Sequence, residues 1–272
     1  MNPDEAVGQA EIISTDESPS DVALAFDEII RVLNQAHTDA AVIQPTALYN
    51  EGWLTTLFLS AERRGIECLP FRFAEKAHWG RELSLKSPFA SSHRGDPLGE
   101  TQTNADALVG HFRIRAKTKR GIEVTGDASQ FIVVEAKMNS QLSPGVRNCP
   151  TYNQAARTIA CMALALKEAG RKPTEIRSLG FYVFSPREKS MNHEPLLKKQ
   201  HIRDTILARY QEYTEPDRSL YQAWCVEWLE PLLEKITIAV ATWEEMIELA
   251  RKSNPDFGRA LASFYNRCTQ HA

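Results

Sequence analysis

The chain has 272 residues, 43% hydrophobic and 25% charged, so it carries enough apolar material for a substantial core. Lys and Arg total 32 against 35 Asp and Glu, and a net charge of -3 excludes a global attraction for nucleic acid or an anionic membrane; such contact must come from a local patch. No apolar run reaches the roughly 20 residues that span a bilayer, and five scattered cysteines form neither a C-x-x-C pair nor a zinc-ligand spacing.

Residues 1–20 are polar, acidic and aperiodic, and are expected to be disordered, with 21–272 forming a single domain. The N-terminus lacks the basic flank and apolar stretch of a signal peptide, so a cytoplasmic protein with reduced thiols is expected. Ser20 or Asp21 can cap a helix running to Ala36, with Val22, Leu24, Ala25, Ile29, Ile30 and Leu33 at helical spacing. A second helix is expected over Ala47–Gly65, with Trp53, Leu54, Leu57 and Phe58 as its apolar stripe and Glu51 near its start. Leu69–Phe89 should hold one or two strands.

From Asp106 the pattern becomes a meander: ALVGHFRIRA, a basic turn, IEVTG, a turn at Gly126-Asp127, then QFIVVEAKM. TYNQAARTIACMALALKEAG (151–170) reads as a long helix ending at Gly170, and LGFYVFSPR (179–187) as a buried strand. Helices near Pro195–Tyr213 and Ser219–Leu233, a short strand ITIAVA and helices around Trp243–Arg251 and Phe257–Cys268 follow. The order predicts an α/β (α+β) fold, a central mixed sheet flanked by helices.

The chemistry centres on FIVVEAK. Side chains alternate along a strand, so Phe131, Val133, Glu135 and Lys137 share one face while Ile132, Val134 and Ala136 share the other. If the meander folds back on itself, Asp106 at the head of its first strand approaches Glu135. Converging carboxylates repel unless a cation sits between them, and oxygen-only ligation suits Mg²⁺ or Mn²⁺. A dication beside an amine is equipment for metal-assisted phosphodiester hydrolysis.

This arrangement resembles the PD-(D/E)XK nuclease superfamily, whose restriction-endonuclease-like core puts a helical glutamate before a sheet carrying an Asp and then an acid-x-lysine triplet. Glu135-Ala136-Lys137 looks like the triplet, Asp106 like the preceding acid, Glu51 like the helical glutamate and Gln154 like the polar residue of the following helix. The resemblance covers about 48–186, leaving 187–272 as a helical elaboration. It implies a metal held by Asp106, Glu135, the Ala136 carbonyl and Glu51, with Lys137 managing the attacking water. The family's usual proline before the aspartate is Ala105 here, and Asp127 competes with Asp106 for the upstream acid.

The substrate so implied is nucleic acid, DNA before RNA, tracked by the basic turn through Lys117, Lys119 and Arg120 and by Gln154; a homodimer is compatible. The alternative in the same fold is a catalytically inactive module that binds nucleic acid or protein. A third, unrelated reading is a small-molecule α/β protein with a deep apolar pocket. No P-loop, dinucleotide-binding or nucleophile-elbow motif is present.

Overall fold

The computed structural model describes residues 32–33, 43–91, 93–145 and 149–271. The chain divides into two compact units, Met1–Leu48 and Tyr49–Ala272. In the first, Pro45–Leu48 forms one helical turn. The tail read over 1–20 and the helix read over Ser20–Ala36 lie outside the described residues, save for 32–33, which are helical.

The second unit is an α/β sandwich around a five-stranded mixed sheet of order β1-β2-β5-β6-β7, formed by β1 (His78–Leu85), β2 (Thr103–Gly110), β5 (Gln130–Ala136), β6 (Ser178–Ser185) and β7 (Thr237–Thr242). β1, β2 and β5 pair antiparallel, whereas β5, β6 and β7 run parallel. The last strand comes from 187–272, so that region closes the sheet as well as adding helices. All seven residues of β5 are buried, the pattern of a strand covered on both faces.

On one face Phe131 and Val133 join a core with Ile159, Ala160 and Leu166 of α2 (Gln154–Glu168). The other face is covered by α1 (Glu51–Arg63) and α7 (Trp243–Ser253), where the Trp243 ring lies 5.7 Å from Phe58 and 5.4 Å from Phe184. Asn50 starts α1 by accepting a hydrogen bond from the Trp53 amide at 3.0 Å, and Asn153 starts α2 by accepting one from the Ala156 amide at 3.0 Å. The buried stripe of α1 is Leu54, Phe58, Leu59 and Ala61, and Trp53, placed in that stripe from the sequence, is 43% exposed. Helical phase sets this: Leu54 and Phe58 lie four apart on the core side, and Trp53 falls beside them.

The remaining helices are α3 (Arg187–Leu197), α4 (Lys199–Gln211), α5 (Asp217–Trp224), α6 (Glu230–Lys235) and α8 (Pro255–His271), with one π-helical segment at Cys225–Leu229. The single helix expected near Pro195–Tyr213 is thus two, broken at Lys198, which has extended backbone angles.

The strand read as ALVGHFRIRA is also two. It breaks at Gly110, and Phe112–Ile114 (β3) pairs with Ile122–Val124 (β4) in a separate two-stranded ribbon, so β2 pairs directly with β5. At its other end β2 begins at Thr103, so Asp106 lies within the strand rather than at its head. Gly110 has φ +146°, and a Cβ there would sit 2.2 Å from the Gln130 carbonyl oxygen, which the peptide must clear. Gly110→Ala should therefore cost about 2 kcal/mol or more of unfolding free energy. A melting temperature within a degree or so of wild type would refute this reading of the break.

Candidate active site

The β2–β5 ladder runs from Gly110↔Phe131 to Ala107↔Val134 and then stops. Extending that register by one residue sets Asp106 opposite Glu135, so the two carboxylates share a face one step beyond the last ladder pair. In place of a ladder bond, the Ala136 amide donates to Asp106 Oδ2 at 2.7 Å. A side chain thus substitutes for backbone where the strands part, and the gap becomes a cavity of about 170 Å³ lined by Asn50, Glu51, Gly52, Arg81, Glu82, Asp106 and Ala136.

Lys137 stands between the acids, its Nζ 3.4 Å from Asp106 Oδ2 and 3.5 Å from Glu135 Oε2. Glu135 is fully buried. Its Oε2 accepts from Gln154 Nε2 at 2.7 Å and its Oε1 from Thr158 Oγ1 at 3.3 Å. Burial first, then the neighbouring Asp106 charge, pushes the Glu135 carboxyl up to about 8 against the opposing pull of Lys137. Burial works to strip the Lys137 proton, but Glu135 and Asp106 outweigh it and hold its pKa above the ordinary lysine range.

The predicted acid–x–lysine set, Asp106, Glu135, Ala136 and Lys137, is therefore brought together, and Glu51, at the first turn of α1, lines the cavity that Asp106 and Ala136 also line. Asp127 is exposed in the turn preceding β5, at the opposite end of that strand from Glu135. Gln154 is occupied at both ends, its Oε1 accepting from the Ser143 amide at 3.1 Å while its Nε2 holds Glu135. It positions the carboxylate, a different employment from the nucleic-acid contact read from the sequence. Lys117, Lys119 and Arg120 are exposed, and their turn is tied to the sheet by the Ser84 amide donating to the Arg120 carbonyl at 2.8 Å, two residues beyond Glu82.

Three cavity or shell residues were missed. Thr158 follows Gln154 by four positions, a helical spacing that puts both on one face toward Glu135. Glu82 has φ +51°, a left-handed backbone unusual for glutamate, and it and Asp106 fall in the gap between the β1–β2 pairs Arg81↔Ala107 and Leu83↔Ala105. Arg81 precedes it.

Behind the triplet, His193 is fully buried, with Nε2 3.2 Å from Ser185 Oγ and Nδ1 buried without a hydrogen-bond partner. Burial and then the Lys137 charge lower its pKa. The folded state therefore resists taking up a proton that the unfolded chain accepts, so the stability present above the unfolded pKa of about 6.5 is lost as pH falls below it. Melting temperatures between about pH 5 and pH 7.5 should decline toward acid less steeply in His193→Gln than in wild type; parallel curves would show that His193 is not the group responsible.

Among the described residues, no three His, Cys, Asp or Glu groups converge closely enough to form a metal site by themselves. The donor set is instead two facing carboxylates with a backbone carbonyl nearby. That set fits Mg²⁺, which keeps several waters and takes one or two protein carboxylates together with substrate phosphate. The raised Glu135 carboxyl is the kind of electrostatic frustration that a dication relieves.

Comparison of the chain with protein-family models, with curated proteins and with solved structures finds no match.

Proposed function

We propose that the Tyr49–Ala272 unit is a divalent-metal-dependent phosphodiesterase acting on nucleic acid, DNA before RNA, built on the restriction-endonuclease-like plan of the PD-(D/E)XK nucleases. The observation that carries this reading is the opposition of Asp106 and Glu135 one step past the end of the β2–β5 ladder, with the Lys137 ammonium within 3.5 Å of both. The strand order supports it, since an antiparallel β1-β2-β5 run joined to parallel β6 sets the acid and the triplet on adjacent strands. The cavity beside Asp106 is small and acid-lined, and the cavities of about 480 and 510 Å³ elsewhere on the unit carry charged residues such as Lys86 and Glu168 or Lys76 and Asp127, which favours it over a small-molecule protein with a deep apolar pocket.

Asp106, Glu135, the Ala136 carbonyl and Glu51 are the groups that would hold Mg²⁺ or Mn²⁺. When bound, the ion supplies a Lewis acid for a phosphoryl oxygen and lowers the pKa of water. Glu135 is fixed for this by Gln154 and Thr158, so its oxygens need no reorganisation. The Asp106 carboxylate is aimed by the Ala136 amide. Lys137, kept charged by both acids, presents a positive group to the phosphate and a proton to the leaving oxygen. The exposed turn of Lys117, Lys119 and Arg120, tied to β1 at Ser84, supplies attraction for the phosphate backbone.

The test is incubation of purified protein with supercoiled plasmid and with single-stranded RNA in Mg²⁺, Mn²⁺ or EDTA. Metal-dependent nicking, abolished by EDTA, is the expected result. Binding of nucleic acid without cleavage under either metal would instead identify the inactive binding module.

A further inference from the structure

Among the described residues Arg81 is the one cation lining the cavity, and hydrolysis by two acids and a lysine leaves it unused. It shares the cavity with Glu51, Glu82 and Asp106, yet among the described residues its guanidinium forms no ion pair with any of them. Its Nη1 instead donates to Thr56 Oγ1 of α1 at 2.8 Å, and its Nε is buried without a hydrogen-bond partner. Nη2 lies against Gly52, where a Cβ would stand 2.3 Å from it. Gly52 is the second residue of α1. Here its absent side chain is the space in which the guanidinium rests.

A cation braced by a threonine and a glycine, beside acids on which it does not discharge, keeps its charge available for an incoming anion. Arginine's planar fork suits the paired oxygens of a phosphate, and the α1 N-terminal turn beside it adds the positive end of the helix dipole. Resting on the nuclease reading above, we infer that Arg81 binds a backbone phosphate of the nucleic acid in this cavity, holding the strand from the α1 side while Lys137 serves the carboxylate pair. Thr56 and Gly52 are its positioning residues.

The test is fluorescence anisotropy with a short labelled DNA duplex in EDTA, at about 50 and about 200 mM salt, so that affinity is read apart from cleavage. Arg81→Met should bind about tenfold more weakly, with the salt slope reduced by about one. Arg81→Lys should keep the slope and lose a smaller factor, because the point charge survives without the fork. Gly52→Ala should match Arg81→Met, since its Cβ displaces the flexible end of the arginine without removing its charge from the protein; it decides the matter if Arg81→Met folds poorly. Wild-type affinity and slope in Gly52→Ala and in folded Arg81→Met would overturn the assignment while leaving the nuclease reading intact. A wild-type protein that binds no duplex in EDTA and cleaves none in Mg²⁺ or Mn²⁺ would overturn both.

Discussion

Lys137→Ala and Asp106→Asn should each lower Mg²⁺-dependent plasmid cleavage by about a hundredfold or more, roughly 3 kcal/mol of transition-state stabilisation. The two losses have different causes. Removing the ammonium takes away the positive group that stands 3.4 Å from Asp106 and 3.5 Å from Glu135, and with it the charge offered to the phosphate and the proton offered to the leaving oxygen. Asp106→Asn keeps an acceptor for the Ala136 amide, so the end of β5 stays in place while one carboxylate charge is lost. The asparagine variant should therefore melt close to wild type, separating chemistry from folding, and its metal requirement should rise. Full cleavage by both variants would remove the pair from the mechanism. Loss of cleavage with unchanged duplex binding would place both residues in the chemical step.

The triplet was legible because a strand repeats every two residues: FIVVEAK fixes Glu135 and Lys137 on one side without reference to the rest of the chain. The long helix after it was legible for a similar reason, since an alanine-rich run between Asn153 and Gly170 leaves little competing structure. Asp106 was found by order along the chain, although its strand began three residues earlier, at Thr103. What escaped depends on pairing between distant segments. ALVGHFRIRA alternates well enough to read as one strand, and only the close approach of Gln130 to Gly110 shows why it must break. Glu82 and Arg81 enter the cavity through the β1–β2 register and a left-handed residue, neither of which periodicity encodes. The sequence singles out Gln154 but not its bond to Glu135, because an amide on the first turn of a helix looks the same whether it faces a phosphate or a buried glutamate.

Arg209→Met should destabilise the fold by about 3–5 kcal/mol, because it breaks a buried ion pair on one side only. Arg209 is fully buried on α4. Its Nε meets Glu100 Oε1 at 3.3 Å, its other nitrogens donate to the Leu98 carbonyl and Glu212, and its Cζ lies 5.5 Å from the ring centres of Phe89 and Tyr213. The residue thus pins the loop between β1 and β2 to the helical layer. Burial raises the Glu100 pKa even with Ser87 and Arg209 helping its charge. A carboxyl raised in the fold is stabilising in its protonated form, and that contribution falls as pH rises from the unfolded value of about 4.3 through the folded one. Without Arg209 the folded value moves higher still, so the penalty should be small near pH 4 and grow toward pH 8. Urea midpoints across that range check both the size and the slope. Glu100→Gln in the Arg209→Met background should restore part of the loss, since it removes the stranded charge. A double variant no more stable than the single one, or a penalty independent of pH, would mean that the arginine acts through packing against Phe89 and Tyr213 and not through its charge.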